Sequence, residues 1–266
     1  MKKTATAILV SLCLAACGGG GSGGDGSLTP APKSLKLSLY GQPLVAASGT
    51  VAHAQLAARD LAASAPATSS DAGSSVQSLQ DALVARGVPA AVTAQVMDGT
   101  TLHQIVIGEN NGLPPTPDQF KTDPSEWIVV NFQLDDMVST VDVPSQAAAI
   151  QQFIQDLSVF VQRAAVSGKR VFAVQPIQTC DAKPGASASS GLQNALTQAS
   201  LKSNLSIIGA ISLTVAYDGT GNVIQSPDLA HLGADCRTPD AYLLNQRVQA
   251  IADSIASQYQ ATTGTN

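Results

Sequence analysis

The sequence predicts an α/β domain with a mostly parallel sheet that helices cover on both faces. Two observations lead to this fold class. Short apolar runs alternate along the chain with longer segments in which apolar residues recur at helical spacing. Several of the short runs are also apolar almost throughout, as in WIVVNF at 127–132, which is typical of parallel strands buried on both faces. The roughly 230 residues after residue 33 are enough for one such domain with a sizeable core.

The predicted elements alternate between strands and helices along most of the chain. Strands are expected at 35–40, 91–96, 127–132, 171–176 and 211–217. Helices are expected at 50–64, 76–87, 145–168 and 239–259, with a further helix-like stretch before the strand at 211–217. Sites in such sheets form beyond the carboxyl ends of the strands, so the segments of interest are 41–49, 97–101, 133–137, 176–182 and the loop before the last helix.

The N-terminus has the features of a bacterial lipoprotein signal. Residues 1–16 begin with a basic pair and continue with a short apolar run, which predicts a secretory signal peptide. The tetrad that ends at Cys17 resembles a lipobox, in which the cysteine is lipidated and becomes the first mature residue. A plain signal peptide with a coincidental cysteine is the alternative, but the Gly/Ser-rich tether over 17–33 favours the lipoprotein. We therefore expect a lipid-anchored envelope protein, at the outer membrane, facing the periplasm or the exterior.

Charge and cysteine usage narrow the partners and cofactors. The formal net charge of −5 becomes −7 once Lys2 and Lys3 leave with the signal peptide, and no basic run occurs, so nucleic acid is not an expected partner. Cys180 and Cys236 remain as an even pair in an oxidising compartment, which predicts a disulfide. Neither cysteine lies in a CxxC motif or near a histidine, so no metal is expected, and we expect a monomer without a cofactor.

Five segments, in order, resemble the sequence blocks of the SGNH (GDSL) hydrolase family. SLYGQPL stands where the family has a strand and Gly-Asp-Ser, VMDGTT resembles the second block, and EWIVVNFQLDDM with the following helix and SGKRVFAVQP resembles the third. The resemblance covers 34–260 and leaves 261–266 as a C-terminal tail. It implies a three-layer α/β/α, flavodoxin-like fold with a mostly parallel five-stranded sheet, and ester hydrolysis as the chemistry. Another flavodoxin-like α/β domain is the alternative.

The family's nucleophile is missing from the position that the resemblance assigns to it. In SGNH hydrolases a serine attacks, a histidine takes its proton and an aspartate orients the histidine. Gly41, Gln42 and Pro43 stand where the family has Gly-Asp-Ser. Proline has neither a hydroxyl nor a backbone N–H, so the attacking atom and an oxyanion donor are both absent. The glycine of the second block matches Gly99, although a turn would also place a glycine there.

The third block departs from the family as well. Its Gly-x-Asn-Asp pattern falls on residues 133–136, where Gln133 replaces the glycine, Asp135 replaces the oxyanion asparagine and Asp136 is kept. An ionised carboxylate only accepts hydrogen bonds and would repel an oxyanion, reversing a contribution of roughly 3 kcal/mol. Only a protonated, buried Asp135 would escape this argument.

The final Asp-x-x-His block can be placed in two registers. One uses Asp228 and His231, which keeps both residue types. The other uses Asp235 and Thr238, directly before Pro239 and the last helix, where the family's histidine commonly stands. We prefer this second register, which removes the histidine base and makes Thr238 the expected N-cap of the helix.

Together these substitutions predict a catalytically degenerate SGNH-like protein. Its cleft could still bind an acylated glycan, a peptidoglycan fragment or a lipid. Two alternatives stay open. One is an active esterase or acetylesterase with a relocated set, Ser48 with Asp228 and His231. The other is a structural envelope protein without a small ligand.

Overall fold

The sheet has five parallel strands in the order β2-β1-β3-β4-β5. The strands are β1 (Leu35–Gly41), β2 (Ala90–Val96), β3 (Trp127–Asn131), β4 (Arg170–Val174) and β5 (Leu205–Ile208). The structure is a computed structural model that describes residues 33–45, 69–97, 99–109, 113–132, 143–180, 188–211, 216–220, 223–224 and 227–264. It confirms the predicted α/β class and the five-stranded parallel sheet.

Helices cover both faces of this sheet. They are α1 (Ser69–Val84), α2 (Leu102–Ile107), α3 (Val143–Val166), α4 (Ala188–Lys202) and α5 (Ala241–Thr263). Helices α2, α3 and α4 pack on one face, and α1 and α5 pack on the other. Before α5 the chain forms a short antiparallel pair, β6 (Ala216–Tyr217) and β7 (Val223–Ile224), and a 3₁₀ helix at Pro227–Leu232. Within the described ranges, no helix is long and apolar enough to cross a membrane.

Each strand contributes to two cores because successive side chains point to opposite faces. In β3, Ile128 and Val130 belong to the core under α2, α3 and α4, whereas Trp127 and Val129 belong to the core under α1 and α5. Burying each side chain of this size contributes roughly 1.5–3 kcal/mol relative to leaving it exposed. Burial of both faces explains why the central strands β3 and β4 are apolar almost throughout.

The predicted fifth strand is wrong. Strand β5 is Leu205–Ile208, which pairs with β4 and directly follows α4, whereas residues 216–217 of the predicted strand belong to β6. A four-residue strand without alternation gives a weaker pattern than the longer apolar run at 211–217, and pairing with β4 decides the outcome. The bounds of the helices also differ. Helix α1 begins at Ser69 instead of residue 76, and α5 continues to Thr263, into the predicted tail. The helix predicted at 50–64 lies outside the described residues.

Candidate functional site

The turn after β1 is built around a close approach of two backbones. Gly41 has a φ of 92°, and a Cβ atom at this position would lie 2.6 Å from the carbonyl oxygen of Asn131 at the end of β3. The backbone N–H of Gln42 donates to that same oxygen at 2.8 Å. Only glycine satisfies both the backbone angle and the contact. The glycine that the sequence places at the start of the family's nucleophile motif therefore has a structural reason to be there.

Side chains from two other elements fix the carbonyl groups of this turn. Asn131 Nδ2 donates to the carbonyl oxygens of Gln42, at 2.8 Å, and Pro43, at 3.4 Å. Arg247 of α5 donates from Nη2 to Leu44 O at 2.8 Å and to Pro43 O at 3.4 Å. Hydrogen bonds from a charged donor contribute more than neutral ones, roughly 1.5–3 kcal/mol each. The turn that would carry a nucleophile is thus fastened to β3 and to α5.

A third contact comes from α1. The hydroxyl of Ser75 accepts hydrogen bonds from the N–H groups of Leu44, at 2.9 Å, and Val45, at 3.3 Å. The same hydroxyl donates to the carbonyl oxygen of Asp71 at 2.8 Å. Since Ser75 is fully buried, these bonds satisfy polar groups that would otherwise be costly. Its hydroxyl supports the turn and is not aimed at a substrate.

Arg247 is the least expected residue of the site. It is 9% exposed, and burial lowers the pKa of its guanidinium to about 10. Its Nε atom is buried without a hydrogen-bond partner, and no carboxylate among the described residues pairs with it. Residue 247 lies on the same helical stripe as the buried residues Leu243, Leu244, Val248 and Ile251. An arginine within an apolar stripe is a sequence signal for a buried polar contact, and it was not recognised from the sequence. Asn131 at the end of a buried strand is a second such signal.

Residues 235–238, which the preferred register assigns to the final block, are held by hydrogen bonds to Asp235. Asp235 accepts the Thr238 hydroxyl through Oδ2 at 2.6 Å, and through Oδ1 it accepts the N–H groups of Arg237 and Thr238, both at 3.0 Å. The hydroxyl bond is the main reason that the pKa of Asp235 lies below its usual value, and the backbone donors add to it. In this register the Thr238 hydroxyl makes the hydrogen bond to Asp235 that a histidine at position 238 would make in an Asp-x-x-His pair.

The predicted N-cap of the last helix is wrong. Asp240, not Thr238, caps α5, because its Oδ1 accepts the N–H groups of Tyr242, at 2.9 Å, and Leu243, at 3.1 Å. The Thr238 hydroxyl instead donates to Asp235. Aspartate is as good a cap as threonine, and its charge also suits the positive end of a helix.

His231 pairs with a carboxylate that neither register names. Its Nδ1 lies 2.7 Å from Asp240 Oδ2, and its ring stacks on Tyr242 with 4.4 Å between the ring centroids. Desolvation raises the pKa of Asp240, but the hydrogen bonds from His231 and from the helix N–H groups outweigh it and lower that pKa. Asp228, which the first register assigns to His231, lies in the 3₁₀ helix. A carboxylate beside Nδ1 fixes the orientation of an imidazole, which is the arrangement of a base and its orienting group.

The disulfide joins two of the predicted segments, as the cysteine count predicts. Cys180 and Cys236 are bonded with 5.2 Å between their Cα atoms, and the N–H of Cys180 donates to Cys236 O at 3.0 Å. Around the bridge lies a small core, against which Val45 of the β1 turn also packs; its buried members are Ile177, Cys180, Leu232, Leu243 and Leu244. The turn after β1, the loop after β4 and the loop before α5 therefore meet at the carboxyl edge of the sheet.

The other predicted site residues are separate or lie outside the described residues. Gly99 has a φ of 90° with no atom near the position of a Cβ, so the backbone angle alone requires glycine there. Helix α2 then begins with a capping box between Thr101 and Gln104. Outside the described residues lie Cys17, Ser48, Gln133, Asp135 and Asp136. Among the described residues, no group of three metal-ligating side chains occurs.

A pocket of about 370 Å³ opens beside the start of α5. Its wall combines the exposed ring of Tyr242 with the amides of Gln246 and Gln249 and the carboxylates of Asp228 and Asp253. The end of β5 closes one side through Ala210 and Ile211. An aromatic surface bordered by amide and carboxylate groups can stack on a ring and hydrogen-bond several hydroxyl groups.

Comparison with known proteins identifies the fold. No protein-family model and no curated protein matches the chain by sequence. A protein from Slackia heliotrinireducens described as an SGNH hydrolase matches with a TM-score of 0.51 and 12% identity, over 84% of this chain and 100% of that one. The psychrotrophic esterase EstA from Pseudoalteromonas, in a structure inhibited by monoethylphosphonate, matches with a TM-score of 0.50 and 13% identity, over 84% and 97%. Identities this low show the fold alone, so this chain has the SGNH/GDSL esterase-like fold that its motifs predict.

Proposed function

We propose that the chain is a catalytically degenerate SGNH-fold lipoprotein of the bacterial envelope, which binds a ligand and does not hydrolyse it. The observation that carries the proposal is Pro43 at the nucleophile position. The described part of the turn, residues 41–45, has no hydroxyl side chain, and its carbonyl groups are held by Asn131 and Arg247. The hydrolytic reaction of this fold needs an attacking serine, and its N–H is also one of the oxyanion donors.

The remaining catalytic positions support the same conclusion. Thr238 stands where the preferred register has the histidine, and a hydroxyl does not accept a proton near neutral pH as an imidazole does. Asp235 is engaged with Thr238 and with two backbone N–H groups. Asp135, which replaces the oxyanion asparagine in the sequence, adds a like charge where an oxyanion would form. Each change removes a different part of the mechanism.

The chemistry of the pocket beside α5 favours a glycan as the ligand. Of the three ligand classes that the sequence leaves open, an acylated glycan or a peptidoglycan fragment offers the hydroxyl and amide groups that Gln246 and Gln249 can bind. A lipid tail would instead need an enclosed apolar pocket. Acylation at Cys17 would keep the protein at the membrane. The signal sequence and the tether over 17–33 support this location.

Labelling with a fluorophosphonate probe tests the loss of catalysis, because the probe reacts only with an activated serine. We expect the full-length chain in detergent to remain unlabelled while an active serine esterase in the same reaction is labelled. A variant with Pro43→Ser, Asp135→Asn and Thr238→His restores the family's serine, asparagine and histidine. It tests whether the loss of these three residues alone accounts for the absence of labelling. Labelling of the unaltered chain would refute the degenerate assignment.

The pairing of His231 with Asp240 favours one second candidate, an esterase with a relocated set. In that case Ser48 would attack, His231 would take its proton, and Asp240, in place of Asp228, would orient the histidine. This candidate predicts labelling by the probe that disappears in Ser48→Ala, His231→Gln and Asp240→Asn. Ligand binding is tested separately by thermal shift in a screen of envelope glycans, with Gln246→Ala as the variant that should lose it. A chain that neither reacts nor shifts would be a structural envelope protein.

A further inference from the structure

The amino edge of the sheet is the end opposite to the turn at Pro43. In this fold the helices run against the strands, so the last turns of α1 to α4 reach the edge where the strands begin. Backbone hydrogen bonds connect the strand starts there: Leu35 N–H to Pro89 O at 2.7 Å, Glu126 N–H to Lys36 O at 2.9 Å, and Arg170 N–H to Glu126 O at 3.2 Å. We call the residues at the strand starts, in the segment 118–126 that leads into β3 and in the last helical turns the basal edge.

Most of the exposed large apolar side chains lie on the basal edge. Of the six such side chains in the described part of the chain, four stand in the last turns of successive helices: Val84 in α1, Ile107 in α2, Val166 in α3 and Leu201 in α4. Val166 is 68% exposed and Leu201 is 83% exposed. Apolar side chains scattered over a surface need no explanation, but their concentration at one end of the domain does.

Exposed cations share the same edge. Lys36, Lys121, Arg170 and Lys202 are exposed, and none of them pairs with a carboxylate among the described residues. Two further cations are neutralised, since Lys33 Nζ lies 2.6 Å from Glu126 Oε1 and Arg86 Nε lies 2.6 Å from Asp253 Oδ1. The other described acidic side chains of this edge are Asp81, Glu109, Asp118 and Asp123. Gln77 donates a hydrogen bond to Asp81, and the hydroxyls of Ser38 and Tyr40 donate to Asp123.

Among the described residues, the opposite edge carries more carboxylates than cations. Asp228, Asp235 and Asp240 lie in its loops, and the cations there are Arg237 and the buried Arg247. A chain with a net charge of −5 therefore presents most of its unpaired described cations at one end. Such a separation of charge orients a protein near a charged surface.

The chain enters the domain at the basal edge. Lys33 directly precedes β1, and its carbonyl oxygen accepts the hydroxyl of Tyr259, near the end of α5, at 2.7 Å. Fifteen residues, 18–32, separate it from Cys17. Because the chain enters the domain here, an acylated Cys17 would tether the domain through its basal edge.

We infer that the basal edge docks on an anionic bilayer surface, with its lysines at the lipid phosphates and its apolar side chains among the headgroups. The inference rests on the proposed lipid anchor. Each cation near an anionic leaflet strengthens binding about fivefold, and apolar contact adds to this. Docking in this orientation directs the turn at Pro43 and the pocket beside α5 away from the membrane.

An environment-sensitive fluorophore on Leu201→Cys tests the docking. The full-length protein is reconstituted into phosphatidylcholine vesicles with or without about one third phosphatidylglycerol. We expect a blue shift and a several-fold rise in emission only in the anionic vesicles, and a loss of both near 1 M salt, where the Debye length falls to about 3 Å. The same fluorophore on Ala230→Cys, exposed at the opposite edge, should not respond.

Matched charge variants provide the second measurement. The triple variant with Lys36, Lys121 and Lys202 changed to Glu should abolish the Leu201 signal, since removing three cations weakens docking more than about a hundredfold. The same three lysines changed to Arg keep the charge and should keep the signal. An unchanged signal in the Glu variant, or an equal signal in neutral vesicles, would overturn the inference. A blue shift without vesicles that grows with protein concentration would show instead that a second copy covers the edge, and would also overturn it.

Flotation with the neutral vesicles separates this inference from the proposed anchor. Protein that floats with them but gives no Leu201 signal in anionic vesicles has its anchor and lacks the docking. Protein that floats only with anionic vesicles, and carries no acyl chain by mass spectrometry, lacks the anchor but supports the docking. Protein that floats with neither type overturns both.

Discussion

Replacing Gly41 by alanine should destabilise the protein strongly, because two separate costs apply at this position. The φ of 92° is unfavourable for alanine, at about 1–2 kcal/mol. The new Cβ would also lie 2.6 Å from Asn131 O, a backbone atom that is fixed by its hydrogen bond to the Gln42 N–H. Relieving such an overlap in a packed region typically costs about 1–3 kcal/mol more.

Gly99→Ala is the matched control for this substitution. Gly99 has nearly the same φ, 90°, but no atom lies within 4 Å of the Cβ position. Its cost should therefore be the backbone part alone, about 1–2 kcal/mol. The loss of chain entropy in the unfolded state is common to both substitutions and cancels in their difference. The two variants should differ by about 1–3 kcal/mol in the free energy of unfolding.

Urea unfolding followed by tryptophan emission measures this difference. Trp127 is the only tryptophan and is buried in β3, so its emission reports on the sheet. With an m-value of about 3 kcal/mol/M, the midpoint of Gly41→Ala should lie about 0.3–1 M below that of Gly99→Ala. Coinciding midpoints would refute the close approach of β1 and β3 as the reason for this glycine.

Two further predictions concern the loops at the same edge. Reducing the bridge between Cys180 and Cys236, which closes a loop with a sequence separation of 56, should lower the free energy of unfolding by about 4 kcal/mol, and a double-serine variant should not respond to reductant. Thr238→Val removes the main donor that depresses the pKa of Asp235, so that pKa should rise in a carbon-13 NMR titration. A depressed carboxyl pKa stabilises the fold above the unfolded pKa and loses this effect as pH falls through the folded pKa. The variant should therefore be less stable than the parent at pH 7 but equal to it at low pH, and an unchanged pKa would contradict the assigned cause.

The sequence is informative about the sheet because burial on both faces leaves a simple pattern. Strands β3 and β4 are apolar almost throughout, and predicting the disulfide needs only an even cysteine count and the expectation of an oxidising compartment. Strand β5 was not predicted because its four residues form a strand through pairing with β4, and their own sequence pattern does not indicate one. The local signal was outweighed by tertiary contact.

The candidate site was predictable only in part, because its contacts join distant residues. The prediction that Pro43 replaces the nucleophile rests on the motif alone. The pairing of His231 with Asp240 depends on how the 3₁₀ helix folds onto the start of α5, which no spacing rule provides. Arg247 reaches Leu44 across a separation of 203 residues. The only sign of this contact in the sequence is an arginine within the apolar stripe of a helix.

The position of α5 has a consequence for the order in which the chain can fold. The first strand, β1, is buried on one face by the last helix, through residues such as Val248, Ile251 and Ile255. A chain that emerges from its N-terminus forms all five strands before residues 241–263 exist to cover them. Contacts between such distant parts of a sequence form late and slowly. A nascent or truncated chain without α5 therefore has this face of its sheet covered by α1 alone, and the apolar side chains left exposed there make it a target for chaperones until residues 241–263 have been made.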